Sequence, residues 1–287
     1  MPRNLTELFP DEIAAALARA PVLVLPLGTI EWHSHHLPLG LDGLVAADIC
    51  EAIAEACDGV SGPVSYWGIG GVPYPYTLKL PIELVEPVLS ALFEQFGAMG
   101  FRVILAFAGH FGVDQTLALK RAAVDVMDRS PVTVLPMTEY DLVTDMSTGD
   151  HAGPGETSLM WAVSERLVRI SELDPAIALD GVIGEDPRLH AGKELGVKLK
   201  TAIVERSAQV ALRALEASAV QRQQFIEAMR AAVRAVEEIR ELRLSRPKSS
   251  VPPLVTPAYA SHCAAIWRGD YVAAKRFAEE KLADPSS

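Results

Sequence analysis

Short apolar runs alternate with amphipathic stretches along the first half of the chain. Residues 21–30, PVLVLPLGTI, are rich in Val, Leu and Ile and bounded by Pro, which predicts a buried strand over Val22–Leu27. Residues 5–19 before it carry apolar positions at Leu8, Ile13, Ala16 and Leu17, a helical spacing. The same logic predicts helices over 44–56, 87–99 (closed by Gly100) and 113–127, with strands over 64–69, 102–107 and 132–137. Such alternation predicts an α/β fold with a largely parallel sheet, because parallel neighbours need a helical crossover between them.

Beyond residue 150 the pattern changes. A helix is expected over 159–170, and an irregular segment over 181–196 that ends in a short helix. Residues 207–244 form a nearly unbroken run of Ala, Arg, Glu, Gln and Leu, all strong helix formers. Proline-containing stretches occupy 245–257, and a helix resumes over 271–282. The coarse map is one domain over 1–205 and a helical C-terminal extension over 206–287, expected to pack on the core or on a neighbouring subunit.

Composition narrows the function classes. With 287 residues the chain can bury one large core, and 49% hydrophobic with 22% charged residues is the balance of a soluble globular protein. The formal net charge of −11 gives no basic field for a nucleic acid. No apolar stretch reaches the ~18 residues that span a bilayer, and residues 1–13 lack a basic then apolar leader, so no membrane partner and a cytoplasmic location are expected. Cys50, Cys57 and Cys263 form no CxxC pair and are expected as buried thiols.

Chemistry concentrates after the predicted strands. Residues 31–42, EWHSHHLPLGLD, hold Glu31, His33 and Asp42, oxygen and nitrogen donors suited to Zn²⁺, Mn²⁺ or Fe²⁺. In extended backbone Glu31 and His33 point to one side, and the turn at 38–40 can return Asp42 to them. His110, between Gly109 and Gly112, follows the strand over 102–107, and His151 with Glu156 forms a third gathering. A lone loop histidine is usually a surface or hydrogen-bonding residue, which is the reading for His190 and His262; for His35, exposure or support of a ligand is expected. Random placement would scatter such residues, whereas these gatherings all follow predicted strands.

The run LPLGTIEWHSHHLPLGLD resembles the signature of the creatininase (creatinine amidohydrolase) family at Pro26, Gly28, Glu31, His33, His36, Leu37, Pro38 and Asp42. AGHFG resembles its second block at Gly109, His110 and Gly112, and HAGPGETS its third at His151, Ala152, Gly153, Glu156, Thr157 and Ser158. The resemblance covers about residues 5–196. It implies a three-layer α/β/α sandwich, a divalent-metal centre of one or two ions, hydrolysis of a C–N amide bond in a small cyclic or formamide-like substrate, and a homo-oligomer, often a hexamer. By position, Glu31 and His110 would bind one metal, His33 the other, and Asp42 would bridge them. The acidic residue that some members carry two places after the second-block histidine is Gly112 here, leaving Glu156 as its replacement or as a base. His151 is the expected general acid. His36 is expected to orient a ligand, and Trp32 and Tyr76 to wall a pocket. Ala108, Phe111, Val113 and Ser34 depart from the family pattern and would reshape that pocket. Other readings are a non-catalytic metal- or ligand-binding protein, and a biosynthetic enzyme using the same centre for an amide-forming or ring-opening step.

Overall fold

The computed structural model describes residues 4–247 and 250–287. A turn of 3₁₀ helix at Leu5–Glu7 precedes helix α1 (Pro10–Arg19), and strand β1 (Val22–Leu27) follows. Then come α2 (Leu41–Ala56), β2 (Val60–Ser61), α3 (Ile82–Ala98), β3 (Val103–Ala108), α4 (Val113–Arg129) and β4 (Thr133–Thr138). The remainder is helical: α5 (Pro154–Val163), the short α6 (Pro187–His190), α7 (Lys193–Glu216), α8 (Ala219–Ser245), α9 (Pro257–Arg268) and α10 (Tyr271–Ala283).

The four strands are parallel in the order β2-β1-β3-β4, with Val22 opposite Val103 and Val103 opposite Thr133. Every residue of β1, β3 and β4 is buried, which is why these strands read as continuous apolar runs rather than as alternation. Helix α2 packs against β1, β3 and α7, while α3 and α4 pack on each other and on β3 and β4, giving the α/β/α layers. The chain leaves β1 towards β2 on one side, yet β3 lies on the other. The strand order therefore reverses between β1 and β3, and a crevice opens at their carboxyl ends.

Several expected boundaries move. The strand expected over 64–69 is instead extended chain joined by single bridges at Ser65 and Ile69, and the paired strand is Val60–Ser61. Helix α3 begins five residues before Pro87, which lies inside it on the exposed face. Helix α5 starts at Pro154, a first-turn position proline suits, rather than at 159, so Glu156 sits in its first turn. The expected continuous helix over 207–244 is two helices. Ser218 breaks it, its side chain accepting from Gln221 N–H as the N-cap of α8. Helix α9 lies in a stretch for which no helix was expected. Residues 248 and 249 of the proline-containing segment lie outside the described residues.

Residue 206 falls within α7, and α7 packs on α2 and α5. Phe225, Ile226, Tyr259 and Tyr271 of the later helices belong to the same buried apolar cluster as the strands. The three cysteines are free and buried. Among the described residues no helix is long and apolar enough to cross a membrane.

Candidate metal centre and its relatives

The crevice collects the acidic and imidazole side chains. Glu31 and His33 leave β1 in a loop closed by Glu31 N–H donating to Leu39 O (2.9 Å). Ser34 in that loop has φ 56°, a left-handed conformation costly for a residue with a Cβ. Asp42 stands in the first turn of α2, where the helix N-terminus favours a negative charge. Gly109, after β3, lets that turn come close: a Cβ there would lie 2.2 Å from Asp42 O. His110 follows, and Glu156 enters from the first turn of α5.

These residues converge. His33 Nε2 lies 3.0 Å from Asp42 Oδ1 and 3.5 Å from Glu156 Oε2. His110 Nδ1 lies 2.9 Å from Glu31 Oε2 and 3.3 Å from Asp42 Oδ2. The ligand atoms of Glu31, Asp42 and His110 all fall within 4.8 Å of one another, as do those of His33, Asp42 and Glu156. Asp42 belongs to both sets and turns one oxygen to each. Glu31, His33 and His151 form a third such set. His33 Nε2, Glu31 Oε2 and both Asp42 oxygens are close to other polar atoms, yet none has a hydrogen-bond partner of good geometry. Buried polar atoms gathered this closely and left without a hydrogen-bond partner fit a cation, and the oxygen and imidazole donors fit a divalent one.

The surroundings aim the donors. His33 Nδ1 hydrogen-bonds Glu31 O (3.0 Å), which leaves Nε2 as the donor atom facing the centre. Glu31 Oε1 accepts from Gly71 N–H (3.0 Å) and Val72 N–H (2.6 Å), so only Oε2 faces His110. Ala152 N–H donates to Glu156 Oε2 (2.6 Å), and Asp150 accepts from the Gly155 and Glu156 N–H groups at the start of α5.

Charges respond to this crowding. Burial opposes ionisation of His33, but Asp42, Glu156 and Glu31 outweigh it and hold the imidazole up to about 9. His110 is raised well above its ordinary value against burial, by Asp42 and Glu31. Asp42 is lowered despite burial, by His33 and His110. Burial raises Glu156, with Asp150 and Asp42 adding to it and His33 opposing.

The other expected residues are placed as follows. His151 stacks on His33 (ring centroids 4.4 Å apart), hydrogen-bonds Trp32 O through Nε2 (2.8 Å) and turns Nδ1 towards Glu156 (4.0 Å). Burial, with His33 next, lowers it to about 4, so it is neutral near pH 7. His36 is buried, and its Nε2 hydrogen-bonds Thr157 Oγ1 (2.9 Å), tying the first loop to α5. Trp32 is buried and stacked on Tyr74 (3.7 Å), which meets Tyr76 edge-on; Tyr76 is 61% exposed. These aromatics anchor the loop that brings Gly71 and Val72 to Glu31. His35 and His190 are exposed, while His262 is buried and bonded to Ala274 O (2.8 Å).

Sequence reasoning missed Glu139, Asp150 and the buried Lys120–Asp141 pair. Glu139 had a signal. It stands just beyond the strand predicted over 132–137, as Glu31 stands in the loop after the strand predicted over 22–27.

A family model, Creatininase: Creatinine amidohydrolase, matches residues 6–233. The chain belongs to the creatininase family. It is 26% identical to a creatinine amidohydrolase of Pseudomonas putida over 180 residues, 53% of this chain and 68% of that protein. A crystal structure of creatinine amidohydrolase (creatininase) superposes with a TM-score of 0.64 at 20% identity, covering 76% of this chain and 99% of that one. A creatininase described as a manganese form gives 0.63 at 21% identity (74% and 98%). A creatininase variant complexed with creatine gives 0.62 at 21% identity, again covering 74% and 98%. These likenesses bear out the α/β/α architecture. Membership makes the chain one of a family of amidohydrolases, which act on C–N amide bonds.

Proposed function

We propose that this protein hydrolyses the C–N amide bond of a small substrate, a cyclic amide or formamide-like compound, at a divalent-metal centre. One observation carries the reading: two buried ligand sets, Glu31–Asp42–His110 and His33–Asp42–Glu156, share Asp42, whose two oxygens face one set each. The Pseudomonas putida relative named creatinine amidohydrolase supports the substrate class. Solved creatininases described as manganese and Zn–Zn forms support Mn²⁺ or Zn²⁺ as the cation.

Glu31 and His110 would hold one cation, His33 and Glu156 the other, with Asp42 between them. Bound divalent cations polarise an amide carbonyl and make water acidic enough to attack near neutral pH. The protein's own contribution is proton handling and orientation. With Nε2 engaged by the Trp32 carbonyl, His151 presents Nδ1 as an acceptor. It takes the proton of the attacking water there and passes it to the leaving nitrogen, so the C–N bond breaks and a carboxylic acid and an amine form. His36 holds α5, and with it Glu156, through Thr157. Burial of the donors keeps their charges unscreened.

The test is to purify the protein, measure bound metal, and assay cyclic amides, formamides and short amides before and after replacing Asp42 or His110 with Ala. Bound divalent metal and turnover that both variants lose support the reading. Turnover undiminished in both variants overturns it, and metal binding with no turnover of any amide leaves a binding protein on the same scaffold.

A further inference from the structure

Glu139 is the acidic residue that the two ligand sets leave out. It follows β4 directly, and its backbone N–H donates to Ala108 O (3.2 Å), which places it beside the loop carrying His110. The side chain is buried, 2% exposed, and neither carboxylate oxygen has a hydrogen-bond partner. A buried carboxyl without a partner is costly, and such a group persists where function uses it. Burial raises its pKa well above the ordinary carboxylate range, with Glu156 the next cause and Asp42 a further one, while His110 opposes. The charged groups that bear on it thus belong to the metal centre.

Position 112 explains the need. Gly112 lies against the His110 ring, where a Cβ would sit 2.5 Å from Nε2, so a side chain there would require the ring to shift. With glycine at this position, residues 109–112 bring no carboxylate to the centre. Glu31, Asp42 and Glu156 supply three negative charges, whereas two divalent cations carry four positive ones, and buried charge is stable only when compensated.

We propose that Glu139 is a further cation-binding carboxylate of this centre, supplying from the end of β4 the negative charge that Gly112 cannot supply after β3. The inference rests on the divalent-metal reading above. Its test is calorimetric titration of chelator-treated protein with Mn²⁺ and with Zn²⁺, alongside thermal melts of the metal-free forms. The variants are Glu139→Gln, which keeps the shape, and Glu139→Met, which is apolar and of similar length. The weakest cation-binding step of the wild type should fall about tenfold or more in both. Metal-free Glu139→Met should melt no lower than the wild type, because it removes a buried unpartnered carboxyl; a purely structural role would lower stability and affinity together. Unchanged affinity in both variants, or a loss of metal-free stability that accounts for the weaker binding, overturns the role of Glu139 alone. A wild-type protein that binds neither cation overturns the metal centre as well.

Discussion

Glu139 and Asp141 stand two residues apart at the end of β4, both buried, and their surroundings are opposite. Asp141 is saturated. Lys120 Nζ donates to Oδ2 (3.0 Å), Tyr259 OH to Oδ1 (2.8 Å), and Thr138 N–H to Oδ2 (3.3 Å). Lys120 also donates to Pro136 O (3.3 Å), so the cation is satisfied too. Burial raises the pKa of Asp141, but Lys120 and Tyr259 outweigh it and lower it. Glu139 and the donors of the metal centre have the same burial without the same satisfaction. One cluster brings its own cation and binds α9 to the sheet. The other leaves buried polar atoms without a hydrogen-bond partner. The difference teaches that a buried charge by itself is no sign of function; a buried charge left without a geometric partner is.

The contrast can be broken by substitution, and the largest effect belongs to the metal centre. Asp42→Ala removes the residue common to both ligand sets. Supporting residues around metal sites cost about 10–100-fold when removed, so losing Asp42 should reduce cation affinity and turnover by more than about a hundredfold. Calorimetric titration and an amide assay check this. Asp141→Ala strands Lys120 in the core and should destabilise the protein by about 3–5 kcal/mol, read by urea unfolding of metal-free protein. If the two clusters are as distinct as their hydrogen bonding says, Asp42→Ala should leave metal-free stability nearly intact relative to Asp141→Ala.

A smaller effect is expected where the clusters meet supporting residues. His36→Ala unties the first loop from Thr157 and should weaken cation binding by about 10–100-fold while leaving the fold unchanged, checked by titration and circular dichroism. Tyr259→Phe removes one hydrogen bond to a charged acceptor and should cost about 2 kcal/mol, checked in the same unfolding assay, with no change in cation affinity.

The pH dependence sharpens the comparison further. His33 binds its proton more tightly in the folded protein, at about 9, than at its ordinary 6.5. The stability this contributes is fully present below about pH 6.5 and is lost as pH rises through about 9. Glu156, also raised, moves the same way from lower pH. The melting temperature of metal-free protein should therefore fall between pH 6.5 and 9. Bound cation, which replaces those protons, should flatten the slope. An equally steep slope in both forms would show that the centre's protons and the cation do not compete.

How much of this was legible in the chain differs by residue. Glu31, His33, Asp42, His110, His151 and Glu156 stood out because metal-competent types followed apolar runs, and because three separate blocks resembled one family in order and spacing. Glu139 carried the same positional signal, but a single glutamate before Tyr140 reads as an ordinary surface acid. Lys120 and Asp141 were less visible still. A lysine on an amphipathic helix reads as solvent-facing, and only the packing of α8 and α9, remote in sequence, makes it a buried partner. The break at Ser218 was legible as an N-cap, yet the helix-forming residues on both sides obscured it.

By itself, the sequence determined the three fully buried strands β1, β3 and β4, the alternation of strand and helix, and which loops carry ligand-type side chains. Those features follow from local periodicity and from burial on both faces of a parallel sheet. Tertiary structure alone decided that the strand order reverses between β1 and β3, that Asp42 faces two ligand sets at once, and that Glu139 is left without a partner while Asp141 is saturated. These are distances between side chains remote in sequence, and they arise only when the chain closes a low-dielectric core in which every unpaired charge is costly.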